Sequence, residues 1–331
     1  MSERKRASAR ACSNIAFIKY WGKLDYDHNV PLNDSISMNL SAAVTTTTVE
    51  WDSALSQDEI YLEGERVLDQ RAVRISRYLD RIRSDWYRMG ARVASVNSFP
   101  AGTGIASSAS GFAALATAAI GAFGEGHPEE QEMTRWARRG SGSACRSIQA
   151  GFVEWVAGKD DASSFSQQFC PPEHWDLTDL VVLVSRSPKA ISSSEGHRIA
   201  VGHPFMEKRQ QLLPARILAL KGALAQRDFV TFGELVEHEA MEMHAIMISG
   251  QPSALYLQPG TVALMHAVRS WREHDGLPVY FTLDAGPNMH VLCESRHAPE
   301  VRARIEATLP RADILENRAG PGATLHDDHL F

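Results

Sequence analysis

Cysteine is scarce in this 331-residue sequence: Cys12, Cys145, Cys170 and Cys293 stand far apart, with no Cys-x-x-Cys pair. That spacing argues against both a cysteine-ligated zinc site and a disulfide framework, and it fits a reducing compartment. No stretch approaches the ~20 apolar residues that span a bilayer. The basic start, Met1-Ser2-Glu3-Arg4-Lys5-Arg6, lacks the apolar run of a secretory leader and reads as a solvated tail. The expectation is a cytoplasmic protein with no membrane partner. Positive charge is not in excess either, since 34 Lys and Arg face 40 Asp and Glu for a formal net charge of -6. Nucleic acid is therefore excluded as an expected partner. No Gly-Lys-Ser/Thr follows a glycine loop, which removes a Walker A site, and Gly102-x-Gly104-x-x-Ser107 lacks the third glycine of a dinucleotide fingerprint. The 13 histidines show no metal-site spacing, and no repeat or low-complexity tract is evident.

What is present is enough apolar residue, 44%, for a large core in one sizeable fold or two lobes. The densest stretch runs over residues 97–123: Asn97-Ser98-Phe99-Pro100-Ala101-Gly102-Thr103-Gly104-Ile105-Ala106-Ser107-Ser108, then an alanine-rich apolar segment. With Val93 and Val96 ahead of it, this reads as strand, glycine loop and helix. The glycines let backbone approach a ligand, and serines at a helix mouth favour an anion, most naturally a phosphate.

Four further stretches carry chemistry. Residues 11–21 fit a strand closing on Gly22-Lys23, so that Lys19 and Lys23, flanking Tyr20-Trp21-Gly22, can aim two ammonium groups at one anion. Residues 29–38 form a Pro/Asn loop running into a strand that continues to residue 49. Residues 140–147, Gly-Ser-Gly-Ser-Ala-Cys-Arg-Ser, place Ser141, Gly142 and Ser143 before Arg146, whose planar fork matches phosphate or carboxylate. Residues 278–288 deliver Asp284 from an apolar strand into a Gly-Pro turn, a partly desolvated setting suited to a base or orienting carboxylate. Around these, a hairpin is expected at 59–68 with Glu63-Gly64 at its turn, and helices at 70–88 (arginines on its solvated face), 129–139, 208–225, 229–248 and 259–274. A buried strand is expected at 180–185, a polar loop at 187–203, a helix at 300–309, an edge strand at 312–315 and a polar histidine-rich tail after Gly320.

Taken together these stretches resemble the mevalonate diphosphate decarboxylase family of the GHMP kinase superfamily. The resemblance rests on Asn14-Ile15-Ala16 through Lys23, Pro31-Leu32-Asn33 with Ser35-Ile36-Ser37, the run Thr45 to Thr48, the glycine loop, residues 140–147 and Asp284-Ala285-Gly286-Pro287-Asn288, in the family's order. It implies an α+β GHMP fold of two lobes, residues 1–186 binding ATP and residues 187–331 completing a cleft between them. It further implies ATP with Mg²⁺, and a mevalonate 5-phosphate or 5-diphosphate as substrate. By position Asp284 matches the catalytic aspartate, Arg146 the arginine on the substrate carboxylate, Lys19 and Lys23 the active-site lysines, and Tyr20, Ser141, Gly142 and Ser143 the substrate-phosphate contacts. Asn97, Pro100, Gly102, Thr103, Gly104, Ile105, Ala106, Ser107 and Ser108 match the ATP loop, with Ser107 a candidate metal contact.

The chemistry asks for the same residue types. Losing CO₂ from a 3-hydroxy acid requires the hydroxyl to depart, and phosphorylating it supplies the leaving group. Such a site needs a carboxylate for the hydroxyl proton, cations for the phosphoryl group and an arginine for the carboxylate. One departure bears on substrate choice. Where the family usually carries a Gly-Met-Gln-like stretch and a Thr-Ser, this chain reads Gly196-His197-Arg198-Ile199-Ala200-Val201-Gly202-His203-Pro204. Fewer hydroxyl donors favour the 5-phosphate, with Arg198 and His203 expected to discriminate. The alternative is a GHMP small-molecule kinase, such as a mevalonate 3-kinase, without decarboxylation. A homodimer is the general expectation for a soluble enzyme.

Overall fold

Two long antiparallel strands, β1 (Arg4–Ile18) and β4 (Ser35–Asp52), form the spine of the computed structural model, which describes residues 4–83, 89–99, 107–124, 128–187 and 191–331. Between them lies the small ribbon β2 (Lys23–Asp25) and β3 (Val30–Pro31). The first sheet continues through the hairpin β5 (Glu59–Leu62) and β6 (Glu65–Arg66) and through β7 (Gly90–Asn97). At the hairpin turn Glu63 and Gly64 both take positive φ, 53° and 82°, as a two-residue turn matched to strand twist requires. From the other half of β4 hang β8 (Phe152–Val156) and β9 (Phe165–Cys170).

Helices α1 (Gln70–Arg83), α2 (Ser107–Gly121) and α3 (Glu130–Gly140) cover this sheet. The alanine run of α2 is buried on nearly every face, and its small side chains let the helix lie close on β1 and β4 around Trp51, Leu79 and Val93. The stretch 84–88 of the expected first helix lies outside the described residues.

The second sheet is antiparallel, in the order β11 (Tyr280–Thr282), β12 (Met289–Glu294), β10 (Leu177–Leu183), β13 (Asp313–Arg318). β10 is wholly buried, in keeping with its unbroken apolar run. It lies ahead of residue 187 yet among the described residues pairs with strands from later in the chain, while β14 (Thr324–His326) returns to pair with β1. Around this sheet pack α5 (Pro204–Gln226), α6 (Phe229–Ser249), α7 (Pro259–Asp275) and α8 (Ala298–Thr308). Among the described residues no helix is long and apolar enough to cross a membrane.

Two expectations are corrected. Residues within the expected loop 187–203 form a helix, α4 (Ser193–Val201), because Ser192 caps it by accepting from the Glu195 N–H and because Gly196, His197, Ile199 and Ala200 share one buried face. The basic start is no free tail: Arg4 to Arg6 belong to β1, and Arg6 donates to the Phe331 carbonyl at 2.7 Å. The polar histidine-rich end is mostly exposed and also carries β14, which covers the edge of β1, while His329 Nδ1 meets Ser8 Oγ at 2.7 Å.

Candidate active site

β1 stops at Ile18, and Lys19 is turned inward, its side chain 1% exposed. Its ammonium group donates to the Ala16 carbonyl at 2.6 Å and to Asp284 Oδ1 at 2.8 Å. Asp284 follows β11 and is turned by a tight bend in which the Gly286 N–H meets its carbonyl at 2.7 Å. Its carboxylate keeps 25% of its surface open to a cleft of about 330 Å³. Burial pushes the Asp284 carboxyl up, but the Lys19 ammonium, with help from His290 and Arg146, outweighs it and holds the group below the usual carboxylate range. Burial pushes the Lys19 ammonium down, and Asp284 and Glu239 offset part of that.

Arg146 enters the same cleft from the short 3-10 turn Gly142–Ser147 and is itself buried. Its Nη1 donates to Ser35 Oγ at 2.6 Å, and Nε and Nη2 share Asn14 Oδ1 at 3.3 and 3.1 Å. Asn14 is fixed in turn by donating to Ser147 Oγ at 2.8 Å and the Ser143 carbonyl at 3.1 Å. The polar residue that interrupts the apolar run of β1 thus aims the guanidinium.

Tyr20 packs its ring at a tilt against Trp155, with centroids 4.6 Å apart, and against His197, 4.3 Å apart. Its hydroxyl is buried without a partner among the described residues, and burial keeps it protonated, far above the ordinary tyrosine range. A Cβ on Gly142 would come within 2.6 Å of that oxygen, so only glycine fits there.

Lys23 donates to Asn29 Oδ1 at 2.5 Å, and Asn29 is held by the Arg138 carbonyl at 2.9 Å. Burial first, then the cations Arg74 and Arg198, bring Lys23 down to about 8. The arginine face of α1 is exposed as expected, and Arg74 on it also reaches the cleft. Arg74 donates to the Gly140 carbonyl at 3.0 Å, lies over the Phe112 ring at 4.5 Å and lines the cleft. Its place one turn before buried Tyr78, on the same helix face, was the available signal.

Ser107 and Ser108, at the start of α2, line the cleft with Ser141 and Ser143, and Ser141 Oγ donates to Ser108 Oγ at 3.2 Å. Pro100, Gly102, Thr103, Gly104, Ile105 and Ala106 lie outside the described residues. Asn97 faces the sheet instead, taking a bond from Thr45 at 2.6 Å and donating to Glu63 at 2.7 Å. No group of three or more acidic, histidine or cysteine side chains suited to a metal occurs among the described residues.

Neither expected discriminator lines the cleft. His203 caps α5, accepting from the Phe205 N–H at 3.1 Å, with its other nitrogen 3.0 Å from Ser249 Oγ. Arg198 is exposed on α4, its guanidinium 5.6 Å from the Tyr26 ring. The lining comes from Ser192, Ser193, Ser194 and His197. His197 is 5% exposed, sits 4.6 Å from the Trp21 ring, and accepts the Gly22 N–H at 2.9 Å. Sequence reasoning placed these residues in a loop, where the one-turn spacing that turns His197 inward has no meaning.

Comparisons with known proteins agree with this geometry. Residues 11–166 match the diphosphomevalonate decarboxylase-like N-terminal domain, and residues 179–325 the mevalonate 5-diphosphate decarboxylase C-terminal domain. The chain is 35% identical to the diphosphomevalonate decarboxylase of Homo sapiens, over 87% of this chain and 77% of that one. It is 32% identical to the phosphomevalonate decarboxylase of Haloferax volcanii, over 98% and 99%. A solved structure of the mevalonate diphosphate decarboxylase from Enterococcus faecalis superposes with a TM-score of 0.92 at 34% identity, covering 98% of this chain and 100% of that chain. A solved complex described as MDDEF with MVAPP, AMPPCP and magnesium matches with the same TM-score of 0.92, identity of 34% and coverage of 98% and 100%. With both family models matched in order across most of its length, the chain belongs to the diphosphomevalonate decarboxylase family of ATP-dependent decarboxylases, built on the GHMP kinase fold.

Proposed function

We propose that this enzyme decarboxylates mevalonate 5-phosphate, in preference to the 5-diphosphate, to isopentenyl phosphate in isoprenoid biosynthesis, with ATP and Mg²⁺. The observation that carries the reading is the convergence of Asp284, Arg146 and a set of serine and lysine donors on one cleft. Ser107 and Ser108 stand where the first N–H groups of α2 lack helical partners, a fit for nucleotide phosphates. Mg²⁺, which keeps waters and shares phosphate oxygens, would neutralise phosphate charge there without a carboxylate cage of its own.

The roles follow from position. Asp284, ionised and open to the cleft, takes the proton of the 3-hydroxyl as its oxygen bonds to the γ-phosphorus and the bond to ADP breaks. Lys19 keeps that carboxylate oriented and adds positive charge beside the transferred group. Arg146 holds the substrate carboxylate. The C3–O bond then breaks with phosphate departing, and the C–C bond electrons form the alkene as CO₂ leaves. Tyr20, Lys23, Arg74, Ser141 and Ser143 meet the 5-phosphate.

Support for the monophosphate is steric. His197 is locked against Tyr20 and Trp21 beside Ser192 to Ser194, and occupies volume at the phosphate end of the cleft. Turnover with mevalonate, its 5-phosphate and its 5-diphosphate, with ADP and CO₂ counted in each sample, tests the reading. Equal ADP and CO₂, fastest with the 5-phosphate, is expected. Faster turnover of the 5-diphosphate overturns the preference, and ADP without CO₂ selects a kinase.

A further inference from the structure

The Lys19–Asp284 pair straddles the two sheets: Lys19 leaves the end of β1, and Asp284 leaves the end of β11. Neither residue lies in a strand, so neither backbone is held by a ladder of sheet hydrogen bonds at that point. Both are held by α6. The Lys19 N–H donates to Glu239 Oε2 at 3.1 Å, and His244, five residues further along α6, places Nε2 3.2 Å from the Asp284 carbonyl oxygen. A carbonyl only accepts, so His244 carries its proton on Nε2. The Lys19 carbonyl accepts from Arg209 Nη2 on α5 at 3.2 Å and from Asn33 Nδ2 at 3.1 Å.

Glu239 is fully buried and is paired with Arg209 at 2.8 and 3.0 Å, and with Arg216. Glu242 completes the cluster through Arg209 at 2.6 Å and Arg216 at 2.9 Å. Buried ion clusters are costly to desolvate and seldom add net stability over apolar packing, so a cluster that ends on the backbone of a catalytic lysine calls for another reason. His244 belongs to the same design. It is 1% exposed, its Nδ1 has no partner among the described residues, and burial and Lys19 together push its pKa down to about 4, which keeps the ring neutral.

We propose that Glu239 and His244 are positioning residues, and that α6 acts as a brace setting Lys19 against Asp284 across the join between the sheets. The inference rests on Asp284 being the group that meets the substrate hydroxyl. Loosening either grip lets the ammonium move off the carboxylate, and Asp284 then titrates higher. The charged and titratable groups facing Asp284 are Lys19 from the end of β1, Arg146 from the 3-10 turn, His290 from β12 and His244 from α6. Lys19 is the charged contact expected to move in these variants; the neutral His244 ring, where replaced, takes away a hydrogen bond to the Asp284 carbonyl and no charge.

The test compares kcat against pH for the wild-type enzyme, Glu239→Gln, His244→Leu, His244→Gln and Glu242→Gln, with Tm and the KM for ATP measured alongside. Misplacement of reacting groups by about 1 Å costs on the order of 100-fold, so His244→Leu and Glu239→Gln should lower kcat by roughly 10- to 100-fold with ATP KM little changed. Their acid limb should move to higher pH. His244→Gln, which restores a donor, should recover part of both effects. Glu242→Gln weakens the same ion cluster without touching Lys19, so it should lower Tm and leave the acid limb in place. An acid limb that stays put in Glu239→Gln and both His244 variants, with kcat falling only in proportion to folded protein, overturns the brace. If Glu239→Gln does not fold, the two His244 variants decide. Near-normal turnover by Asp284→Asn would instead overturn the role of Asp284, a failure separable from that of the brace.

Discussion

Arg146→Lys separates the two halves of the reaction. A guanidinium has five N–H donors, and three bonds to Asn14 and Ser35 leave one donor on each terminal nitrogen for a ligand. Two parallel donors are what a carboxylate accepts in bidentate fashion. Lysine keeps the charge, but its three donors radiate from one nitrogen at the end of a different reach, so it cannot satisfy Asn14 and Ser35 and still present a fork. Losing one to two hydrogen bonds to a charged group, at ~1.5–3 kcal/mol each, predicts about a 10²-fold slower release of CO₂. The assay follows ADP and CO₂ over a single turnover, with enzyme in excess of the mevalonate phosphate and ATP saturating. Formation of ADP should fall less than formation of CO₂, because phosphoryl transfer depends on Asp284 and Lys19, which Arg146→Lys does not touch. CO₂ release within a few-fold of wild type, or an equal loss of both products, would refute the assignment of Arg146 to the substrate carboxylate.

Other predictions follow from the same contacts. Removing the base in Asp284→Asn should cut turnover by ~10²- to 10⁴-fold while nucleotide affinity, measured by calorimetry, stays near wild type. Since Lys23 titrates near 8, it is cationic below that value and neutral above it, so the KM for the phosphorylated substrate should climb as pH rises through 8; Arg198→Ala, by removing a nearby cation, should move that climb upward. His203→Ser should leave the ratio of 5-phosphate to 5-diphosphate turnover unchanged, because serine also caps a helix and residue 203 does not face the cleft. His197→Ala should shift that ratio toward the 5-diphosphate by opening space beside Ser192 to Ser194, and an unchanged ratio would remove His197 from substrate choice.

The convergence of the candidate site residues was legible because the chemistry constrains their types at close range in the chain. Lys19 with Lys23, Ser141 with Arg146, and Asp284 before its Gly-Pro turn each sit where a strand or turn delivers them, and all line one cleft. What was hidden depends on contacts distant in sequence. Asn14 holds Arg146 across a separation of 132 residues, and Glu239 grips Lys19 across 220. Local pattern marks Asn14 as a polar break in an apolar strand without naming its partner, and it carries no trace of the Glu239 contact. His197 was missed for another reason: it needs its helix assigned before its direction is known, and the polar run over residues 187–203 masks the helical spacing of α4.

The charge arrangement also assigns the two limbs of the pH profile to different ends of the cleft. Asp284 is held below the usual carboxylate range by Lys19, which makes it a weak base toward an alcohol. A loose phosphoryl-transfer transition state asks little of a base until the new bond is well advanced, so permanent ionisation and fixed orientation matter more than proton affinity. The cost of a low pKa is therefore small, and the gain is a carboxylate still charged in mildly acidic solution. On the alkaline side Asp284 has nothing left to lose, and the limit falls to the lysines that burial pushes down, Lys23 to about 8 and Lys19 behind its ion pair with Asp284. The acid limb should thus respond to changes at Lys19, Glu239 or His244, and the alkaline limb to changes at Arg198 or Arg74. A single substitution at either end that moved both limbs together would mean that the two ends titrate as one coupled system, against the separation of Asp284 and Lys23 on which both assignments rest.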